Sequence, residues 1–216
     1  MDNDRQQSLN QLLQWGIENS DASRGAAPTD QQRDPNRGLN PKVLAELLGG
    51  PSDADRMRDA MSAIVAPLDQ VDLANKMTAW DNFEQLIENL DNANNMEKLG
   101  LWEPLVSQLD SEEKDCRTMA AWCCSTAVQN NVKCQEKLLE VGAVPTLAKM
   151  ATGDADEGVR KKAVSALSSE VRNFQPGMDE LENCLPDDVW KRKGIDAGDM
   201  GAVDELIQRL RAQATR

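Results

Sequence analysis

The sequence predicts an all-α protein built as a short solenoid of about three visible helical repeats, with helical caps and a flexible N-terminal arm. Three observations lead there. The stretch RTMAAWCCSTAVQNN, residues 117–131, recurs as RKKAVSALSSEVRNF from Arg160, so that Arg117, Ala120, Ser125, Val128 and Asn130 reappear 43 residues later as Arg160, Ala163, Ser168, Val171 and Asn173. A further copy lies 41 residues upstream, where Ala79, Asn89 and Pro104 anticipate Ala120, Asn130 and Pro145. Finally, hydrophobic residues make up 40% of the chain but aromatics only 3%, so the interior must come from Leu, Val, Ile, Ala, Met and Cys, which suit packed helices better than sandwich strands.

A helical period of about 40–47 residues is the signature of armadillo and HEAT solenoids, whose units stack because none can bury its apolar face alone. The expected organisation is an amphipathic segment and disordered linker over 1–40, cap helices over 41–70, armadillo-like repeats over 71–176, and a degenerate repeat with a C-terminal cap helix over 177–216.

Taken in order, SLNQLLQWGIENS carries Leu9, Leu12, Leu13 and Ile17 at near-helical spacing with Trp15 between them, which predicts a short amphipathic helix. The polar stretch that follows holds Gly25, Pro28, Pro35, Gly38 and Pro41 and reads as a linker. Pro41 can open a helix through KVLAELL that stops at Gly49 and Gly50. A second helix from Ser52 or Asp53 shows Met57, Met61, Ile64 and Val65 on one face and ends before Pro67.

Asp72 is placed to cap one long helix through LANKMTAWDNFEQLIENL, with Leu73, Met77, Trp80, Phe83, Ile87 and Leu90 near one stripe. After DNANN, MEKLG is expected to make about one turn, and LWEPLVSQL restarts with Pro104 in a first turn. The next unit repeats the order: a long helix opening after Ser111, then VKCQEKLLEVG stopped by Gly142, then the Pro145-led VPTLAKMATG. A third long helix is expected from Glu157 to Phe174, with the register lost at Pro176 and Gly177; beyond it stand MDELENCL as a helix, KRKGIDAGDM as a loop, and GAVDELIQRLR as a final helix.

Composition excludes several classes of function. With 37 acidic and 24 basic residues the net charge is −13, which repels nucleic-acid backbones and anionic membrane surfaces and favours a partner with basic patches. No apolar run approaches the ~18 residues of a membrane span. The start, MDNDRQQSLN, lacks the basic and apolar regions of a signal peptide, so a cytoplasmic location is expected. There is no histidine, which removes the commonest general base and metal ligand. The five cysteines show no CxxC spacing, and Cys123 and Cys124 lie inside an apolar helical pattern, as small buried hydrophobes do. No phosphate-cradling glycine loop and no nucleophile elbow is present, so neither catalysis nor a cofactor or metal is expected.

The candidate surface comes from the helical period. Positions four and seven or eight after Trp122 share its face, giving Thr126, Gln129 and Asn130. The repeat offsets carry that face to Asp81, Gln85, Glu88 and Asn89 in the first unit and to Ser165, Ser169, Arg172 and Asn173 in the third. The opposite stripe, Ala120, Cys124, Ala127 and Val128, is apolar. Two readings stand for the recurrent asparagines: part of a binding groove, or residues that cap each helix's last turn. Two also stand for Trp122: an interface anchor, or a ring packed between neighbouring helices.

The segments AWDNFEQLIENLDNANNMEKLGLWEPLV (79–106), LLQWGIENS (12–20), AWCCSTAVQNN (121–131) and ALSSEVRNF (166–174) resemble the fungal cytosolic nucleotide exchange factors of the 70-kDa heat-shock chaperones. This armadillo-type family is related to the animal heat-shock-protein-binding protein. In armadillo repeats the long third helix lines the concave groove, and its AxWALSN pattern is similar to Ala120, Trp122, Cys123, Cys124, Ser125 and Thr126, with Thr126 where Asn is usual. Ser165 stands where an aromatic is expected, and Phe174 where Tyr is usual.

The resemblance implies a regulator without an active site, whose groove embraces a lobe of the chaperone's ATPase domain and speeds ADP release; a monomer is the expectation for a capped solenoid. It also implies that Leu12, Leu13, Trp15 and Ile17, on a flexible arm, enter the chaperone's peptide groove and displace substrate. The competing expectation docks them on the first helices of the solenoid. A rival function is an armadillo adaptor holding an extended peptide, although such arrays usually carry a regular Trp and Asn ladder.

Overall fold

The computed structural model describes Leu13 and residues 50–216. The expected helix at 41–48 and the remainder of the N-terminal segment, including Leu12, Trp15 and Ile17, lie outside the described residues; Leu13 is helical. From Asp53 onward the chain forms one compact unit. Its helices are α1 (Asp53–Val65), α2 (Leu73–Ile87), α3 (Leu90–Leu99), α4 (Trp102–Ser107, continued by a 3-10 turn to Asp110), α5 (Lys114–Val128), α6 (Val132–Glu140), α7 (Ala143–Gly153), α8 (Glu157–Val171), α9 (Gln175–Cys184) and α10 (Met200–Ala214). The described residues hold no strand, and the arrangement is that of an armadillo-like solenoid.

The long helices stand in a row, with α2 packed on α1, α5 on both α2 and α8, and α10 on α8. Behind them the short helices α3, α6 and α9 follow one another, and α7 fills the space against α8, α9 and α10. One continuous core runs through the unit, anchored by the fully buried Trp80, Phe83 and Trp102, joined by Trp190, and otherwise built from Leu, Ile, Val, Met, Ala and Cys. The apolar stripe of α5 is buried throughout: Ala120, Cys123, Cys124 and Val128 have no exposed surface, and Ala127 almost none.

A recurring cation near the start of each long helix ties it to neighbouring helix ends and connections. The buried Lys76 ammonium donates to the carbonyls of Ile64 and Ala66 at the end of α1. One unit on, Arg117 donates to the carbonyls of Ser111 and Glu112, and Arg160 to those of Asp154, Ala155 and Ala214. These carbonyls belong to helix ends and connections that lack intrahelical partners, so one side chain satisfies several groups at once. Arg117 also forms a forked pair with Asp154 at 2.8 and 3.1 Å. Asp154 in turn accepts from the Asp156 amide, and Asp156 caps α8 through the Gly158 and Val159 amides.

Three expectations need correction. The helix from Leu73 does not run to Leu90: it ends at Ile87, because the Asn89 side chain accepts from the Asp91 and Asn92 amides and starts α3 there. Leu90 therefore leaves the buried stripe and is 57% exposed, while DNANN and MEKL join in one ten-residue helix. Second, the third long helix stops at Val171 rather than Phe174. Third, Pro176 does not end the repeat register. Proline in a first helical turn loses no hydrogen bond, and α9 begins at Gln175, as far beyond α6 as α8 lies beyond α5. The spacing stretches only afterwards, where residues 185–199 form a connection before α10. That connection is tied back to α9, where Glu182 accepts from the Gly194 and Ile195 amides and Gln175 bridges Ile195 and Ala197.

Candidate interaction face on the long helices

The predicted face falls on α2, α5, α8 and the turns that follow them. Asp81, Gln85 and Ser165 are exposed on their helices, and Thr126 and Ser169 are half-buried between neighbours. Trp122, near the middle of the row, is 39% exposed, a large apolar ring left in contact with solvent. Gln85 also lines a groove of about 710 Å³ between α1 and α2, together with Arg56, Asp59, Ala63 and Asn82.

Hydrogen bonds stitch the face across its helices. The Thr126 hydroxyl donates to the buried Glu84 carboxylate at 2.8 Å, joining α5 to α2. Ser125 and Ser169 hydroxyls meet at 3.1 Å, joining α5 to α8. From behind, the buried Gln135 amide of α6 donates to the carbonyls of Ser169, Glu170 and Arg172 and so closes the end of α8. Such bonds hold the rungs in fixed register, which a preformed binding face requires.

The residues beyond the helix ends behave differently from those on the helices. Asn130 and Asn173 hold left-handed backbone at φ 53° and 56°, which asparagine tolerates better than most residues, and so terminate α5 and α8. Asn89 caps α3 instead, and Glu88 and Gln129 are exposed in the connecting turns. Arg172 is engaged: its guanidinium pairs with Asp204 of α10 at 2.5 Å and reaches the Ser168 hydroxyl.

Lys162 was not among the predicted residues. Its ammonium lies 3.5 Å above the centre of the Trp122 ring, a cation–π contact between α8 and α5. Burial lowers its pKa, against the opposing pull of Glu84. Periodicity gives no signal for it, since Met119 and Thr78 occupy the matching positions in the other units. Glu84 and Lys76 were also missed, although the 41-residue offset places Lys76 opposite Arg117 and Glu84 opposite Ser125.

The arrangement offers little to covalent chemistry. Burial pushes the Cys123 and Cys124 thiols well above the usual range and the Cys134 thiol to about 11, the reverse of what a reactive cysteine needs. Among the described residues no group of three or more Cys, Asp or Glu side chains is placed to hold a metal ion, and no helix is long and apolar enough to cross a membrane.

Comparison with known proteins places the chain as a whole. Residues 9–96 match the family described as "Nucleotide exchange factor Fes1", and residues 92–181 match the "SIL1/FES1/HPBP1 C-terminal domain". The chain is 51% identical over 208 residues to the "Hsp70 nucleotide exchange factor FES1" of Gibberella zeae, covering 94% of this chain and 95% of that protein. It is 44% identical over 244 residues to the "Hsp70 nucleotide exchange factor fes-1" of Neurospora crassa, covering 96% and 98%. Among solved structures, an engineered protein superimposes with a TM-score of 0.56 at 15% identity over 81% of this chain and 68% of its own, a likeness of fold alone. Full-length identity at this level, with two adjoining family matches that together run from residue 9 to residue 181, means that the chain belongs to the Fes1 family of nucleotide exchange factors.

Proposed function

We propose that this chain is a non-catalytic, cytoplasmic, monomeric regulator that binds the ATPase domain of a 70-kDa heat-shock chaperone through the face of α2, α5 and α8 and accelerates ADP release. What supports the reading is family membership together with Trp122, a half-open aromatic at the centre of a hydrogen-bonded row of helices. Exposed aromatics in such settings are the residues that most often carry interface energy. Asp81, Gln85, Glu88, Asn89, Trp122, Thr126, Gln129, Asn130, Ser165, Ser169, Arg172 and Asn173 form the contact surface.

The mechanism is differential binding. A factor with equal affinity for the open and closed ATPase conformers shifts nothing; preference for the open one raises its population and lets ADP leave. A preference of about 1.4 kcal/mol enlarges a rare open population about tenfold. No chemistry on the factor is needed, and a chain free of histidine with four of its five thiols buried suits that role.

The test is release of fluorescent ADP from a purified cytosolic 70-kDa chaperone. Wild type should accelerate release, and Trp122→Ala should weaken the effect. No acceleration at saturating protein would overturn the reading. The segment Leu12, Leu13, Trp15 and Ile17 is assigned a separate task, occupying the chaperone's peptide groove to displace substrate. Replacing Leu13 and Trp15 by Asp should abolish displacement and spare ADP release; loss of both activities together would contradict that division.

A further inference from the structure

We infer that Lys162 is a specificity residue of the chaperone-binding face, and that it accepts an acidic side chain of the partner against the Trp122 ring; the inference rests on the function proposed above. Lys162 is the cation at the centre of the row. Its neighbours are already paired, Lys161 with Glu157 and Arg172 with Asp204. Lys162 has no ion-pair partner among the described residues: its contact is the π-face of Trp122, at 3.5 Å.

Glu84, the carboxylate that pulls on the Lys162 ammonium, makes no ion pair with it; it is buried and accepts from Thr126. An ammonium carries three N–H donors, and a ring face engages the charge without using them all. Lys162 is half-buried with its head held over the Trp122 ring, so side-chain entropy that an exposed lysine loses on forming an ion pair has been lost in advance.

This geometry selects a carboxylate over other partner groups. A cationic partner side chain would be repelled by Lys162, and an apolar one would leave a half-desolvated ammonium covered and unpaired, which is costly. An acidic side chain meets the donors and can lie beside the indole edge, which is the positive rim of the ring. The selection runs against the chain's overall charge of −13, which favours basic partner patches elsewhere. Lys162 therefore fixes where on a mixed-charge partner surface the face can settle, since one carboxylate must lie opposite the middle of the row.

The experiment measures binding of the full chain to a purified 70-kDa chaperone ATPase domain at low and high salt, for wild type, Lys162→Met and Lys162→Arg. Methionine keeps the stem that covers Trp122 and removes the charge. The expected result is about a tenfold loss of affinity for Lys162→Met at low salt, a flatter salt dependence than wild type, and recovery to within about threefold by Lys162→Arg. Thermal midpoints of the three proteins monitor folding. If Lys162→Met binds within twofold of wild type with the same salt dependence, the inference is overturned while the proposed function stands. If wild type itself fails to bind, both fall. If Lys162→Met and Lys162→Arg lose affinity equally, with unchanged salt dependence, the role is packing rather than charge, and the inference is likewise overturned.

Discussion

Glu170 gives the account a sharp thermodynamic test. It lies in α8 with no exposed surface, and neither carboxyl oxygen has a hydrogen-bond partner among the described residues. Burial raises its pKa from 4.5 to about 8, so the folded protein holds it as a neutral acid at pH 7. In the unfolded chain the same group is ionised above about 4.5. Folding then takes up a proton between these values, and stability that is complete below the unfolded pKa is lost as pH rises toward the folded one.

The slope is that of one proton, about 1.4 kcal/mol per pH unit, and thus about 3 kcal/mol from pH 5.5 to 7.5. The window is unusually clean because the chain has no histidine, and burial lifts the Cys123, Cys124, Cys134 and Cys184 thiols above it. Glu170→Gln removes the titration while keeping the shape. Urea unfolding by circular dichroism at pH 5.5, 6.5 and 7.5 should show wild type losing stability with pH and the variant holding nearly level. The stability difference between them should move by about 3 kcal/mol in the variant's favour. Parallel pH profiles for the two proteins would mean that Glu170 is not held neutral by burial in the folded protein.

Other outcomes follow from the same packing. Gly177→Ala, ordinarily favourable inside a helix, should destabilise by about 1–3 kcal/mol in thermal unfolding, because its Cβ would lie 2.8 Å from the Phe174 ring and 3.1 Å from a Glu170 oxygen. Arg117→Ala should cost about 2–3 kcal/mol by the same measurement, since it removes the forked bond to Asp154 and two carbonyl partners; Arg117→Lys should restore only part, lacking the fork. Thiol titration of the native protein should leave Cys116, Cys123, Cys124 and Cys134 unmodified over the time in which the half-exposed Cys184 reacts, with all five reacting in denaturant.

Much of this was legible in the sequence because repetition supplies its own check. The 41- and 43-residue offsets located the three long helices, and Asp72 does cap α2 through the Asn75 amide. What periodicity could not distinguish was whether Asn89 closes one helix or opens the next. LIENLDNANN is compatible with both until the Asn89 side chain is seen to accept from two forward amides. Pro176 misled for a similar reason, since proline breaks a helix interior but suits a first turn, and only the 43-residue register shows which applies. On the face, residue identity gave the polar positions but not their bonding. Arg172, placed on the face by the repeat offset, is tied to α10, while Lys162, absent from the repeat pattern, sits over Trp122. Pairings between helices are properties of packing and leave no local trace.

The measurement that bears most directly on the central claim is the affinity of this chain for a 70-kDa chaperone ATPase domain with and without saturating ADP. Because coupling between two ligands is reciprocal, a factor that expels ADP by holding the open conformer must itself bind more weakly when ADP is present, and by the same factor by which it weakens ADP. The two factors are expected to match, with Trp122→Ala lowering the chain's affinity in both states. Equal affinity in the presence and absence of ADP would contradict it.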